Sequence, residues 1–156
     1  MILITGADGF IGNSLSSYLI KKNYSILKAV RKIKNFDNTI QIDISKKEDI
    51  ESSCNNIDTI IHLAGLNREQ CNRNEKEAIK INSIGTKDLF KQAIKEKIKT
   101  FVLFSTIHVY GKELVGEIKE DDITLPYDNY AKSNLMAEQY CMKLAKNSQT
   151  KLIILR

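Results

Sequence analysis

The sequence predicts a doubly wound α/β fold, a parallel sheet of about six strands flanked by helices. Three observations predict it. Short, nearly continuous apolar runs recur along the chain, helical patterns separate them, and the first run ends in a glycine-rich turn that opens into a helix. Continuous rather than alternating hydrophobicity is what strands buried on both faces require.

Ile2-Leu3-Ile4 reads as the first strand, and Ile11, Leu15, Tyr18 and Leu19 fall on one face of the helix that follows. Ser25 to Arg31 and Thr39 to Ile44 are weaker runs, expected nearer a sheet edge. A short helix over Lys46 to Asn55 leads to the next strand, Ile57 to Leu63. A long helix is expected over Asn74 to Lys97, where Ala78, Ile81, Gly85, Leu89 and Ala93 share a face. Phe101 to Phe104 is the fifth strand, Tyr130 to Asn147 a further helix, and Lys151 to Arg156 the sixth strand. Gly111 to Asn129 holds two glycines, Pro126 and several acids without a sustained period. Because strand and helix resume behind it, it reads as an active-site loop rather than a linker.

The 156 residues make one domain, residues 1–156, with no second core expected. Hydrophobic residues at 42% and charged residues at 28% exclude disordered, collagen-like and disulfide-stapled classes. The net charge of +5 comes from lysines on every expected helix with acids interleaved, a solvated basic surface rather than a nucleic-acid site. Cys54, Cys71 and Cys141 form no Cys-x-x-Cys pair, so neither a disulfide framework nor a metal site is expected. Reduced thiols fit the cytoplasm. Met1 enters an apolar strand within two residues, without a targeting pattern, and no run has the apolar length of a membrane span.

Thr5-Gly6-Ala7-Asp8-Gly9-Phe10-Ile11-Gly12 follows the first strand and opens the first helix, the context a dinucleotide site demands. Gly6 allows a tight turn, Gly9 a close backbone approach to a pyrophosphate, and Gly12 the packing of helix on strand. The helix start at Phe10 and Ile11 offers free N–H groups and the positive end of the helix dipole. The alternative is a tight strand-to-helix turn without a ligand.

Two residues separate Gly6 from Gly9, and this Thr-Gly-x-x-Gly-x-x-Gly spacing resembles the extended short-chain dehydrogenase/reductase family of nucleotide-sugar epimerases and dehydratases. The resemblance covers the whole chain. Asp43-Ile44 resembles the family's adenine-contacting Asp, His62-Leu63-Ala64-Gly65 its fourth-strand motif, and Asn82 its central-helix asparagine. It implies a Rossmann fold that holds a nicotinamide cofactor, a nucleotide-sugar substrate, and a homodimer formed through Asn74 to Lys97 and Tyr130 to Asn147. It also implies that the substrate-binding segments lie beyond the sixth strand, so the chain is expected to be the N-terminal cofactor-binding part. An acid closing the second strand selects NAD, whereas an arginine accommodates the extra phosphate of NADP. Arg31, followed by Lys32 and Lys34, favours NADP over NAD.

Ser105-Thr106-Ile107-His108-Val109-Tyr110-Gly111 is similar to the family's Ser-Ser-x-x-Val-Tyr-Gly segment and places Thr106 at its catalytic hydroxyl. Without the family, a Ser-Thr pair at a strand end is a turn or cap. Tyr130 matches the family's acid/base tyrosine. The family's lysine, four residues on, lowers that tyrosine's pKa and holds the nicotinamide ribose; here the position is Asn134. Asparagine hydrogen-bonds ribose hydroxyls but carries no charge. Lys132, two residues along the helix from Tyr130, points away and does not substitute. The dehydratases of the family carry Asp and Glu after the threonine, where this chain has Ile107 and His108, which leaves 4-epimerisation or keto-sugar reduction. His62, inside an apolar strand, reads as structural. The competing class is a dinucleotide-binding or interaction module that has lost turnover.

Overall fold

A computed structural model describes residues 1–33 and 37–156. Lys34, expected to add to the basic end of the second strand, lies outside the described residues.

Six parallel strands form one sheet: β1 Ile2–Thr5, β2 Ile26–Val30, β3 Thr39–Gln41, β4 Thr59–His62, β5 Thr100–Phe104 and β6 Lys151–Leu155. Their spatial order is β3-β2-β1-β4-β5-β6. The chain first winds outward from β1 to β3, then returns to place β4 on the other side of β1, with Thr5 opposite His62. That reversal opens a crevice above the carboxyl ends of β1 and β4, where sheets of this kind bind ligands.

Successive strand residues face opposite sides of the sheet and so divide the core in two. Leu3, Ile60, Phe101 and Leu103 pack with Leu89, Phe90 and Cys141 from helices α5 Thr86–Lys95 and α6 Asn129–Ala145. The rings of Phe90 and Phe101 meet edge to face at 4.9 Å, and each buries completely, worth roughly 2 to 3 kcal/mol apiece. On the opposite face Ile4, Ala7, Ile26 and Val30 pack with Leu19 of α1 Phe10–Lys21.

The face expected for α1 needs correction. Ile11 and Tyr18 are exposed, and the buried positions are Gly12 and Ser16. The physical reason is proximity: this helix starts against the glycine turn, so only small side chains fit beneath its first turns. The run expected over Thr39 to Ile44 is a strand only to Gln41, because β3 is the edge strand and the chain leaves it in a turn where the Asp43 carboxylate accepts the Ser45 N–H at 2.9 Å. The short helix α2 spans Lys47–Glu51 rather than reaching Asn55.

Between β4 and α5 lie elements the periodicity does not separate. α3 Arg68–Arg73 was not expected; α4 Glu75–Ala78 runs into a π-helical stretch, Ile79–Gly85, that continues into α5. At the end of that stretch a Cβ on Gly85 would stand 2.6 Å from the Ile44 carbonyl, so this helix presses directly on the chain leaving β3. Among the described residues, no helix is long and apolar enough to cross a membrane. The three cysteines are free and buried, and burial pushes the Cys141 thiol up to about 12.

Candidate cofactor and active site

The glycine turn sits at the mouth of the crevice. Gly6 has φ +67, a left-handed conformation, and a Cβ there would meet the Ala64 backbone nitrogen at 2.8 Å. Gly9 donates its N–H to the Gly6 carbonyl at 3.0 Å and serves as the N-cap of α1. A Cβ on Gly12 would lie 2.2 Å from the Gly6 oxygen. No side chain caps this helix and no acid lies in its first turn, so its opening N–H groups face outward, beside the exposed Phe10 and Ile11. An uncapped helix start at a turn that excludes side chains fits a pyrophosphate.

Two cavities of about 200 and 320 Å³ share Leu63, Ala64, Gly65 and Leu66 as a common wall. Together they make a groove of the size that cofactor sites occupy. The larger is lined by Gly6, Gly9, Arg31, Asp43 and Ile44, the smaller by Asn82, Tyr130 and Asn134. The groove thus gathers the fourth-strand motif and both of its expected ends. Of the other expected residues, Gly12 is buried beneath the turn, Phe10 and Ile11 border the helix start outside the cavity walls, and Thr106 is buried and lines neither cavity.

Burial opposes ionisation of Asp43, yet hydrogen bonds from the Ser45 backbone and hydroxyl and the charges of Lys46 and Arg31 hold its carboxyl below the usual range. Arg31 is exposed at the end of β2 and faces a cavity whose wall also carries Asp8, Asp43 and Glu77.

Asn82 fastens the shared wall. Its Oδ1 accepts the Leu66 N–H at 2.7 Å, and its Nδ2 donates to the Leu66 carbonyl at 3.2 Å and to Ser133 Oγ at 3.4 Å. Its π-helical setting fits the frequent use of such stretches at functional sites. A Cβ on Gly65 would approach Asn82 Oδ1 at 3.1 Å, so the wall and the asparagine fit closely. His62 lies beneath, fully buried, with Nδ1 2.6 Å from Thr5 Oγ1 and Nε2 2.8 Å from Thr86 Oγ1. Burial pushes its pKa down to about 4.

Tyr130 stands in the first turn of α6, whose N-cap, Asp128, accepts the Ala131 N–H at 2.8 Å and pairs with Arg68 at 2.6 Å. Burial raises the Tyr130 phenol above its ordinary value, the neighbouring Thr106 hydroxyl pulls it back, and the nearby Cys71 and Asp128 raise it further. Thr106 is buried and caps the 3₁₀ turn Ile107–Tyr110 through the His108 N–H at 3.3 Å. Asn134 turns its Nδ2 back to the Tyr130 carbonyl at 2.8 Å. Lys132 is exposed and lines neither cavity. The His108 ring lies 6.5 Å from that of Tyr130, edge-on, also outside the groove walls.

Leu66, Asn67 and Gln70 line the groove without having been singled out from the sequence. A signal for them existed. Asn67-x-x-Gln70 is a capping box, with Asn67 Oδ1 accepting the Gln70 N–H at 2.9 Å and Gln70 Oε1 accepting the Asn67 N–H at 3.0 Å.

A parallel sheet of this order, with a glycine turn and an uncapped helix at its reversal point, defines a Rossmann-type dinucleotide-binding fold. The chain belongs to the NAD dependent epimerase/dehydratase family, whose sequence profile matches residues 2–156. The UDP-glucose 4-epimerase of Vibrio cholerae is 34% identical to it over 165 residues, covering 99% of this chain and 50% of that protein. The UDP-glucuronic acid 4-epimerase of Bacillus cereus, solved with UDP-glucuronic acid and NAD, is 27% identical with a TM-score of 0.86, covering 99% of this chain and 55% of that one. The UDP-glucose 4-epimerase of Thermotoga maritima, solved with UDP-glucose, gives 26%, 0.88, 99% and 54%. The chain therefore spans about half the length of the relatives it matches.

Proposed function

We propose that this chain is the cofactor-binding side of an NAD(P)-dependent nucleotide-sugar 4-epimerase or keto-sugar reductase. The observation that carries the reading is the continuous groove from the uncapped start of α1, across Leu63 to Leu66, to Tyr130 and Asn134. In it, N–H groups at Phe10, Ile11 and Gly12 would hold the pyrophosphate and Asp43 and Ile44 the adenosine end, with Asn82 keeping Leu63, Ala64 and Gly65 in place as the floor. A bound nicotinamide would supply the hydride chemistry. Tyr130, as the phenolate and assisted by Thr106, would take the proton of the sugar hydroxyl as its carbon becomes a carbonyl, and as the resulting phenol would give it back on reduction. Arg31 favours NADP through its charge at the ribose position. A homodimer through Asn74 to Lys97 and Tyr130 to Asn147 and a cytoplasmic location belong to the same reading.

A second reading is favoured by one observation: the position four residues after Tyr130 carries an amide that bonds to a helix carbonyl, so among the described residues no cation offsets the raised phenol pKa. Under it, the groove binds NAD(P) without turnover. Epimerisation of UDP-glucose and reduction of UDP-4-keto sugars, measured for the parent, Tyr130→Phe and Asn134→Lys, separate the two. Turnover in the parent that Tyr130→Phe abolishes supports the enzyme. Cofactor binding without turnover in the parent, with activity appearing only in Asn134→Lys, supports the binding module.

A further inference from the structure

Glu138 is a fully buried carboxylate on α6, eight residues after Tyr130, and lines neither cavity of the groove. Its Oε1 accepts the Ser105 hydroxyl, in the residue before Thr106. Its Oε2 accepts two hydrogen bonds from Arg156, from Nε at 3.0 Å and from Nη2 at 2.7 Å. The remaining arm of that guanidinium, Nη1, donates to the Tyr110 hydroxyl at 2.7 Å and the Glu120 carbonyl at 2.9 Å. The Tyr110 ring lies beneath it at 5.0 Å. Ser105 also donates its N–H to the Leu155 carbonyl at 2.7 Å. The ends of β5 and β6, the 3₁₀ turn, the loop and α6 are therefore joined at one point.

We propose that Glu138 and Arg156 are positioning residues for the Thr106–Tyr130 pair: their ion pair locks the rotation and height of α6 against the end of β5. The proposal rests on the reading above that these two hydroxyls handle the proton. The argument concerns what a charge does here that an apolar pair would not. Glu138 is fully buried while the Arg156 side chain is partly exposed, and an ion pair that desolvates a carboxylate in this way is seldom more stabilising than well-packed apolar side chains of similar volume, so stability alone gives no reason for one. Its bonds are directional, however: a guanidinium fork meets a carboxylate in few orientations, whereas aliphatic side chains slide past one another. A slip of one residue along α6 moves a side chain by about 1.5 Å and turns it about 100°. Such a slip would separate Tyr130 from Thr106, and it would first break every bond that Glu138 makes.

The test compares the parent with the double variant Glu138→Met, Arg156→Met, which removes both charges together and leaves neither unpaired. The readout is the ¹³Cζ signal of Tyr130 in tyrosine-labelled protein, assigned by its loss in Tyr130→Phe. Thr106→Ala supplies the reference shift for a Tyr130 without the Thr106 hydroxyl beside it. The double variant is expected to unfold at the parent's temperature or above and to bind NAD(P) as the parent does, while its Tyr130 signal moves to the Thr106→Ala position. A Tyr130 signal that stays at the parent position in a folded double variant overturns the proposal. Should that variant not fold, Ser105→Ala removes only the hydroxyl contact and leaves the ion pair intact. A shift in the same direction, reversed in Ser105→Thr, supports the proposal, and an unmoved signal overturns it. The readout needs no turnover, so a chain that proves inactive on sugars would sink the proposed enzyme while leaving this test to stand or fall separately.

Discussion

The two ends of the groove are built from different material. Around Gly6, Gly9 and Gly12 the surface is backbone, shaped by the absence of side chains and by helix N–H groups with no cap. Around Tyr130 it is side chains fastened to neighbouring backbone: Asn134 to the Tyr130 carbonyl, and Asn82 to the Leu66 N–H of the wall. A backbone-built site tolerates change at most positions and fails only where a side chain intrudes. A side-chain-built site changes its chemistry with a single residue.

The largest effect should come from intruding on the backbone end. Gly12→Val places methyls where a Cβ alone already lies 2.2 Å from the Gly6 oxygen, so a loss of about 3 kcal/mol in urea unfolding is expected, with NAD(P) binding abolished. A variant that keeps both the midpoint and the affinity would show that the close contact is not what shapes the turn. Asn82→Ala leaves the Leu66 N–H without its buried acceptor, while the Leu66 carbonyl keeps the Cys71 thiol at 3.5 Å, and should cost about 2 kcal/mol. It should weaken cofactor binding as well, because the wall it fastens is common to both cavities; unchanged affinity by calorimetry would confine Asn82 to stability.

His62 lies under that junction, bonded to Thr5 of β1 on one side and Thr86 of α5 on the other, and it sets a pH dependence. Its pKa falls from 6.5 to about 4 on folding, so between these values the unfolded chain binds more protons than the folded one. The stability is present above pH 6.5 and is lost as pH falls toward 4, about 2 kcal/mol of it by pH 5. Urea curves at pH 7 and pH 5 for the parent and His62→Asn measure the contribution, and equal slopes with pH in both would remove it. The smallest effect is expected at Arg31, exposed at the adenosine end. Arg31→Ala should weaken NADP about tenfold, the worth of one charge-assisted contact, and leave NAD nearly unchanged. Equal losses for both cofactors would show that Arg31 does not read the phosphate.

What the sequence determined by itself is local. Continuous apolar runs mark the buried parallel strands, because a strand covered on both faces has no polar side to alternate. The glycines are legible because a backbone cradle is written as missing side chains at fixed offsets, and the family's motifs, once matched, pointed to the residues of the opposite end. Periodicity misplaced the buried face of α1, since Ile11 and Tyr18 have helical spacing but the turn beneath accepts only Gly12 and Ser16. It also merged α3, α4 and the π-helical stretch, although the Asn67 to Gln70 capping box was there to be read. The tertiary structure alone decided which distant residues meet: β4 beside β1, Asn82 with Leu66, and Glu138 with Ser105 and Arg156. The reason is physical. Spacing along a chain encodes which face a side chain takes, whereas the partner of a buried polar group is chosen by the packing of elements tens of residues apart, which no local pattern records.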